Sequence, residues 1–128
     1  MVSREALLWF RQAEANLRKA LNDIVTRNWD SAAFRSQQAT EKALKVLLLN
    51  AGIASRGRNL LELAEAARVE LGVDKVVDDL RGLTVHYAIS RYPNAANALP
   101  YELYTEGKAR DLVERAKRVV NWVKQHLR

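Results

Sequence analysis

The 128-residue sequence contains no cysteine, only two prolines and only two histidines. The absence of cysteine excludes disulfide bonds, thiolate metal sites and a cysteine nucleophile, and it is typical of proteins from reducing compartments. No stretch of about 18 apolar residues predicts a membrane-spanning helix, and the first residues lack the apolar segment of a signal peptide. We therefore expect a cytoplasmic protein that has no membrane segment.

The scarcity of histidine and glycine also limits the ligands that the chain can hold. Neither His86 nor His126 has a carboxylate or a second histidine at the spacing of a metal site. Gly57 stands between two arginines without the Lys-Ser/Thr ending of a phosphate-binding loop. We therefore expect neither a metal ion nor another cofactor.

Positive charge is the main compositional bias, with 21 basic and 15 acidic residues and a formal net charge of +6. Clustered lysine and arginine favour phosphate-bearing partners, because neutralising a phosphate backbone releases its counterions. The same bias also suits surface ion pairs at high temperature, so composition alone leaves both interpretations open.

Apolar residues recur at helical spacing along most of the chain, and no segment alternates as a strand does. Ser3 is placed to cap a first helix, and Asp30 to cap a second that runs from Ser31 to Asn50 and stops at Ala51-Gly52. Thr105 is placed to cap the last long helix. The apolar positions of the first and last helices are Ala6, Trp9, Phe10, Ala13, Leu17, Ala20, Leu21 and Ile24, then Leu112, Ala116, Val119, Val120, Val123 and Leu127.

The middle of the chain predicts shorter elements. A short helix is expected from Asn59 to Gly72, and a fourth from Asp74 to Val85, with Val76, Val77, Leu80, Leu83 and Val85 on its apolar side. Residues 91–100 are bounded by two prolines and are expected to form the only long loop. The fold class is therefore all-α, an antiparallel up-down bundle of four long helices plus a short one, in a single domain over residues 1–128.

Polar positions on these helices carry further expectations. Gln37 and Glu41 interrupt an apolar stripe of the second helix, which predicts their burial between helices. Arg4, Arg11 and Arg18 are spaced one heptad apart on the first helix, where a solvated face is the expected arrangement. In the last helix we expect ion pairs four residues apart, Asp111 with Arg115 and Glu114 with Arg118.

Arg81 and His86 form an R-x-x-x-x-H spacing that suits phosphate chemistry. An arginine can stabilise the charge of a pentavalent phosphate while a histidine moves protons, which is the minimum that a metal-independent ribonuclease needs. A spacing of five on a regular helix turns two side chains about 140° apart, so one subunit would aim both at one phosphate only if the helix breaks near Gly82. The alternative is a surface arginine and a half-buried histidine.

A longer pattern runs from Trp9 through the second helix. Its most specific part is the run Gln37-Gln38-Ala39-Thr40-Glu41-Lys42-Ala43-Leu44-Lys45, and it continues at Gly57-Arg58-Asn59-Leu60 and at Tyr87 followed by Arg91-Tyr92-Pro93. This pattern resembles the HEPN family ("higher eukaryotes and prokaryotes nucleotide-binding"), in its Arg-Tyr-Pro branch. The resemblance covers essentially the whole chain.

The resemblance implies a helical bundle that commonly dimerises and that in prokaryotes is often encoded beside a minimal nucleotidyltransferase as a toxin–antitoxin pair. Many such toxins are RNA endonucleases, whose R-x(4–6)-H motifs from both subunits compose one site. This assigns Arg81 and His86 to catalysis and removes the geometric objection within one subunit. The residues expected to bind RNA or another phosphate-bearing ligand are Lys45, Arg58, Tyr87, Arg91 and Tyr92.

Two functions of different classes remain from the sequence. The first is an RNA-cleaving or RNA-binding toxin component that works as a homodimer. The second is a non-catalytic nucleotide-binding or scaffold dimer in which Gln37, Glu41, Lys45 and Arg91 hold a ligand or stabilise the bundle. Amphipathic surface from Tyr92, Tyr101 and Tyr104, beside the loop after Pro93, favours a homodimer in either case.

Overall fold

A computed structural model describes residues 2–53, 60, 62–63 and 76–127 of the chain. Within these residues every regular element is helical, which confirms the all-α bundle. The helices are α1 (Arg4–Val25), α2 (Trp29–Asn50), α3 (Val77–Thr84), α4 (His86–Ile89), α5 (Pro93–Ala96), α6 (Pro100–Leu103) and α7 (Glu106–His126).

Helices α1 and α2 form a hairpin whose ends follow from local capping. The Ser3 hydroxyl accepts the Ala6 N–H at 3.1 Å, as predicted for an N-cap. The expected cap at Asp30 is wrong, because Arg27 adopts a left-handed conformation with φ 62° and lets α2 begin two residues earlier, with Asn28 as its N-cap. Asp30 lies instead in the first turn of α2, where its negative charge interacts favourably with the positive end of the helix dipole.

The core lies where α2 packs against α1 and α7. Four alanines of α2 are fully buried, and their small side chains let the neighbouring helices approach closely: Ala32, Ala33, Ala39 and Ala43. The apolar stripe of α1 is confirmed except at Leu21, which is 40% exposed because it lies at the edge of the stripe. Arg4, Arg11 and Arg18 are exposed as expected.

Helix α7 holds α3 through arginine side chains. Thr105 caps α7 as predicted, and Arg115 Nε donates to Asp111 Oδ2 at 2.9 Å. The expected pair between Glu114 and Arg118 is wrong, because Arg118 donates to both carboxylate oxygens of buried Asp79, the shorter contact being 2.8 Å. Partner groups from α3, distant in sequence, therefore replace one pair predicted within α7.

Glycine at position 82 permits this packing. A Cβ at Gly82 would lie 2.6 Å from Nη1 of Arg115, closer than real contacts allow. The same Nη1 donates to the backbone carbonyl of Asp78 at 2.8 Å. Glycine weakens a helix by roughly 1 kcal/mol relative to alanine. Gly82 nevertheless suits this position, because the Arg115 guanidinium crosses α3 there.

The remaining sequence predictions in this half of the chain hold in part. Val85 was expected on the apolar side of a continuous fourth helix, but the helix is interrupted there and Val85 is 54% exposed. Residues 91–100 are not one irregular loop, because Pro93 and Pro100 each begin a short helical turn. Proline is tolerated at the first position of a helix, since an N–H there would have no partner within the helix. The predicted boundaries at Asn59, Gly72 and Asp74 lie outside the described residues.

Candidate nucleic-acid interface

Arg81 presents its guanidinium to solvent from the exposed side of α3. Its side chain is 66% exposed, and Nη1 lies 3.6 Å from Oδ1 of the still more exposed Asp78. Ion pairs this exposed contribute little to stability and are screened by salt. A phosphate can therefore replace Asp78 as the partner of Arg81 at small cost.

His86 begins α4 and is buried, with 7% of its surface exposed. Its Nδ1 lies 2.6 Å from the hydroxyl oxygen of Tyr104. Burial lowers the pKa of His86 to about 4, with nearby Lys108 acting in the same direction and Asp111 opposing it. Burial also raises the pKa of Tyr104, so a neutral imidazole meets a neutral phenol at pH 7.

Tyr104 itself corrects a sequence expectation. It was grouped with Tyr92 and Tyr101 as amphipathic surface, but it is buried because its hydroxyl finds a polar partner inside the bundle. The other two are exposed, Tyr92 at 48% and Tyr101 at 64%. Two of the three aromatic residues that favour a homodimer are therefore available at the surface.

The structure does not bring Arg81 and His86 together within one chain. The helix is interrupted at Val85, but the Val85 backbone stays in the right-handed helical region at φ −68° and ψ −20°. The helical direction therefore continues, and a spacing of five residues turns the two side chains to different sides. Arg81 faces solvent and His86 faces the interior.

Arg91 is the best-positioned cation among the predicted binding residues. Its guanidinium carbon lies 3.9 Å from the centroid of Phe34 and 4.6 Å from that of Tyr87, so it contacts one ring from α2 and one from α4. Contacts of this kind contribute about 0.5–2 kcal/mol each and fix the guanidinium plane. The sequence prediction included Tyr87 and Arg91 but missed Phe34, whose only signal was its place one turn before Gln37.

Gln37 and Glu41 are buried, as predicted, at 0% and 7% exposure. Both amide atoms of Gln37 and Oε1 of Glu41 lack a hydrogen-bond partner, as do Oγ of Ser36 and Nε of Arg91, within the described part of the chain. Buried polar atoms without partners are rare in folded proteins, since each costs about 1–3 kcal/mol. The buried face of α2 is therefore unusually polar around Gln37 and Glu41.

Lys45, another predicted binding residue, lies beside Trp9 of α1. Its Nζ is 5.8 Å from the indole centroid. Lys42, one turn earlier on α2, is partly buried, and this burial lowers its pKa. Lys19, Lys45 and Arg91 add to that lowering by repulsion while Glu41 opposes it, which places several cations around Lys42. Neither Trp9 nor Lys42 was predicted from the sequence to be a binding residue.

Arg58 lies outside the described residues. In the parts of the chain that the structure describes, no three His, Cys, Asp or Glu residues are grouped as metal ligands. None of the helices described above is both long and apolar enough to cross a membrane.

The HEPN domain family model matches residues 6–126 of this chain. The chain belongs to the HEPN family. This confirms the resemblance that was found in the Gln37–Lys45 run and in Tyr87 and Arg91-Tyr92-Pro93.

Individual relatives of this HEPN protein agree with the assignment. TT1696 from Thermus thermophilus has a crystal structure that superposes with a TM-score of 0.91 at 31% identity, over 98% of this chain and 100% of that one. ST0689, an archaeal HEPN homologue, gives a TM-score of 0.82 at 33% identity, over 96% and 98%. The protein named putative toxin MJ1304, from Methanocaldococcus jannaschii, is 25% identical over 96% of this chain and 88% of its own length.

Proposed function

We propose that this HEPN protein acts on RNA as the toxin-side member of a pair with a minimal nucleotidyltransferase. Support comes from its similarity, over 96% of its length, to a relative named a putative toxin. The net charge of +6 favours a polyanionic substrate.

The observation that supports an action on RNA is the contact of the Arg91 guanidinium with both the Phe34 ring and the Tyr87 ring. Sequence-tolerant recognition of RNA uses cations beside aromatic side chains, because phosphates attract the first and bases stack on the second. Arg91, Lys42 and Lys45 supply the cations on one side of the bundle. Tyr92, exposed next to Arg91, adds an aromatic ring that a base can reach.

Cleavage in this proposal uses Arg81 of one subunit and His86 of the other. The Tyr104 hydroxyl occupies Nδ1 of His86 and orients the ring. The proposed role as base requires the tautomer in which Nδ1–H donates to the Tyr104 oxygen, because that tautomer leaves Nε2 free to accept a proton. A neutral imidazole can accept the proton of a 2′-hydroxyl, and the exposed Arg81 guanidinium can stabilise charge on the phosphate. For His86 to meet RNA, the dimer must open the surface beside Val85.

The homodimer that this mechanism needs is supported by an exposed apolar surface. Its residues all belong to the segment from the end of α3 to the end of α6: Val85, Tyr92, Leu99, Tyr101 and Leu103. Exposed apolar side chains that are concentrated in one segment favour an interaction site there, and a two-fold dimer uses the same surface on both subunits. Arg81 lies four residues before Val85 and His86 directly follows it, so a dimer formed through this segment would bring both residues near the two-fold axis.

The burial of His86 favours a second candidate, a non-catalytic nucleotide-binding or scaffold dimer. One experiment separates the two. Purified protein is incubated with single-stranded RNA in the presence of EDTA, and both binding and cleavage are measured. Cleavage that is lost in Arg81→Ala and in His86→Ala, but kept in Arg11→Ala, supports the RNA-cleaving function. Binding without cleavage supports the scaffold instead.

A further inference from the structure

A shallow depression of about 370 Å³ lies on the side of the α1–α2 hairpin, lined by Leu8, Trp9, Gln12 and Lys42. It is open to solvent, and its volume falls at the lower end of the range for small-ligand sites. Trp9 is partly buried, so the structure holds its indole while one part of the ring stays accessible. The depression thus offers a fixed aromatic surface large enough for one nucleobase.

Lysines stand at the edge of this aromatic surface. Lys42 lines the depression, and Nζ of Lys45 lies 5.8 Å from the indole centroid, near the outer limit of about 6 Å for a cation–π contact. A contact that long is weak, so a flat ligand group can take the place of Lys45 on the ring. The displaced ammonium group is then available to a phosphate.

Gln12 adds a polar group to the same surface. Its Nε2 donates to Oδ1 of Asn16 at 3.0 Å, which leaves Gln12 Oε1 as an acceptor beside the indole. Asn16 is 4% exposed, and its Nδ2 has no hydrogen-bond partner among the described residues. Asn16 does not line the depression, but its hydrogen bond orients the Gln12 amide at the edge of the depression.

We propose that the depression beside Trp9 binds one unpaired nucleotide of single-stranded RNA, with the base stacked on the indole and the phosphate held by Lys42 and Lys45. Gln12 Oε1 then accepts a hydrogen bond from the base edge. This inference rests on the proposed action on RNA, and it names unpaired RNA as the part of the substrate that the α1–α2 hairpin recognises.

An unpaired strand fits better than a duplex or a free nucleotide. Bases in a duplex are stacked on each other, so an indole cannot reach their faces. The cations continue past the depression, since Arg91 is close enough to Lys42 to contribute to its electrostatic surroundings. A chain of phosphates uses that continuation and a mononucleotide does not.

Fluorescence anisotropy with a labelled 12-nucleotide single strand and with the matching duplex tests the stacking. Trp9→Leu keeps an apolar side chain and removes the aromatic face. We expect it to weaken single-strand binding about fivefold to 150-fold, the range for losing one stacked base, and to leave duplex binding unchanged. Leu7→Ala, an exposed neighbour on α1, is the control and should bind as the wild type does.

Salt dependence tests the phosphate contact independently of Trp9, whose replacement can disturb the partly buried site. Lys42→Ala should reduce the slope of log affinity against log salt by about one charge, and Lys42→Arg should restore it. Lys124→Ala, an exposed lysine near the end of α7, should leave this slope at the wild-type value. An equal change in Lys42→Ala and Lys124→Ala would overturn the proposal.

Photo-crosslinking locates the nucleotide directly. A single strand containing 4-thiouridine should crosslink to the tryptic peptide of residues 5–11, which contains Trp9. A wild type that binds no RNA refutes the proposed function and this inference together. A wild type that binds RNA, but crosslinks elsewhere and binds equally well as Trp9→Leu, refutes this inference alone. AMP could also abolish the crosslink to the Trp9 peptide at concentrations that leave the Arg91-dependent binding of RNA intact. That result would assign the depression to free nucleotides and overturn the proposal.

Discussion

Nδ1 of His86 and the hydroxyl of Tyr104 lie 2.6 Å apart inside the bundle, and neither residue exposes more than 7% of its surface. The contact ties the start of α4 to the residue just before the cap of α7. It therefore gives His86 a structural role whether or not the imidazole also transfers protons.

Removing the phenol hydroxyl tests this structural role. Tyr104→Phe keeps the ring but leaves the polar Nδ1 of His86 without its partner, so we expect a loss of about 1–2 kcal/mol in the free energy of unfolding. Urea denaturation at pH 7 measures the loss. Tyr101→Phe, which changes an exposed phenol, is the control, and equal losses in the two variants would contradict the structural role.

Acid should destabilise the protein through His86. In the folded chain the pKa of His86 is about 4, below the ordinary 6.5 of the unfolded chain, so the unfolded state binds the proton first as the pH falls. The stability from neutral His86 is present above pH 6.5 and is lost progressively towards pH 4. By pH 5 the loss should be roughly 1–2 kcal/mol.

A variant isolates this contribution from those of the carboxylates. His86→Asn lacks the titrating group, so its free energy of unfolding should fall less than that of the wild type between pH 7 and pH 5. Urea denaturation at both pH values gives the difference between the two slopes. Parallel pH profiles for wild type and variant would contradict a pKa of His86 that is lowered by folding.

Two adjacent aspartates should differ in their effect on stability. Asp79 is buried and accepts hydrogen bonds from Arg118, with Arg115 close by, whereas the side chain of Asp78 is 90% exposed. We expect Asp79→Ala to lower the free energy of unfolding by about 1–3 kcal/mol, because it removes charge-assisted bonds between α3 and α7. Asp78→Ala should change the free energy of unfolding little. Thermal denaturation compares the two variants, and a loss in Asp78→Ala as large as that in Asp79→Ala would contradict the prediction.

Local sequence signals predicted the long helices well. The caps at Ser3 and Thr105 and the stop at Ala51-Gly52 depend on side chains and conformations within a few residues, so the sequence contains them. The burial of Gln37 was likewise readable from the stripe that it interrupts. Features of this kind need no knowledge of the rest of the fold.

Contacts between distant segments account for what the sequence did not predict. Arg118 bonds Asp79, 39 residues away, instead of Glu114 in its own helix. The Arg91 site needed Phe34 from α2, and periodicity does not say which helix faces it. Tyr104 is chemically suited to surface or core, and only the position of His86 decides between them.

The most direct test of the proposed site across the dimer is subunit mixing. Arg81→Ala and His86→Ala proteins are each assayed for RNA cleavage, then mixed, exchanged by brief mild denaturation and refolding, and assayed again. Each variant alone should lose about 10²- to 10⁴-fold in cleavage rate. In a mixed dimer one of the two sites keeps both Arg81 and His86, so with random pairing the mixture should recover about a quarter of the wild-type rate. A mixture no more active than the separate variants, or a wild-type protein that binds RNA without cleaving it, would contradict the proposed site.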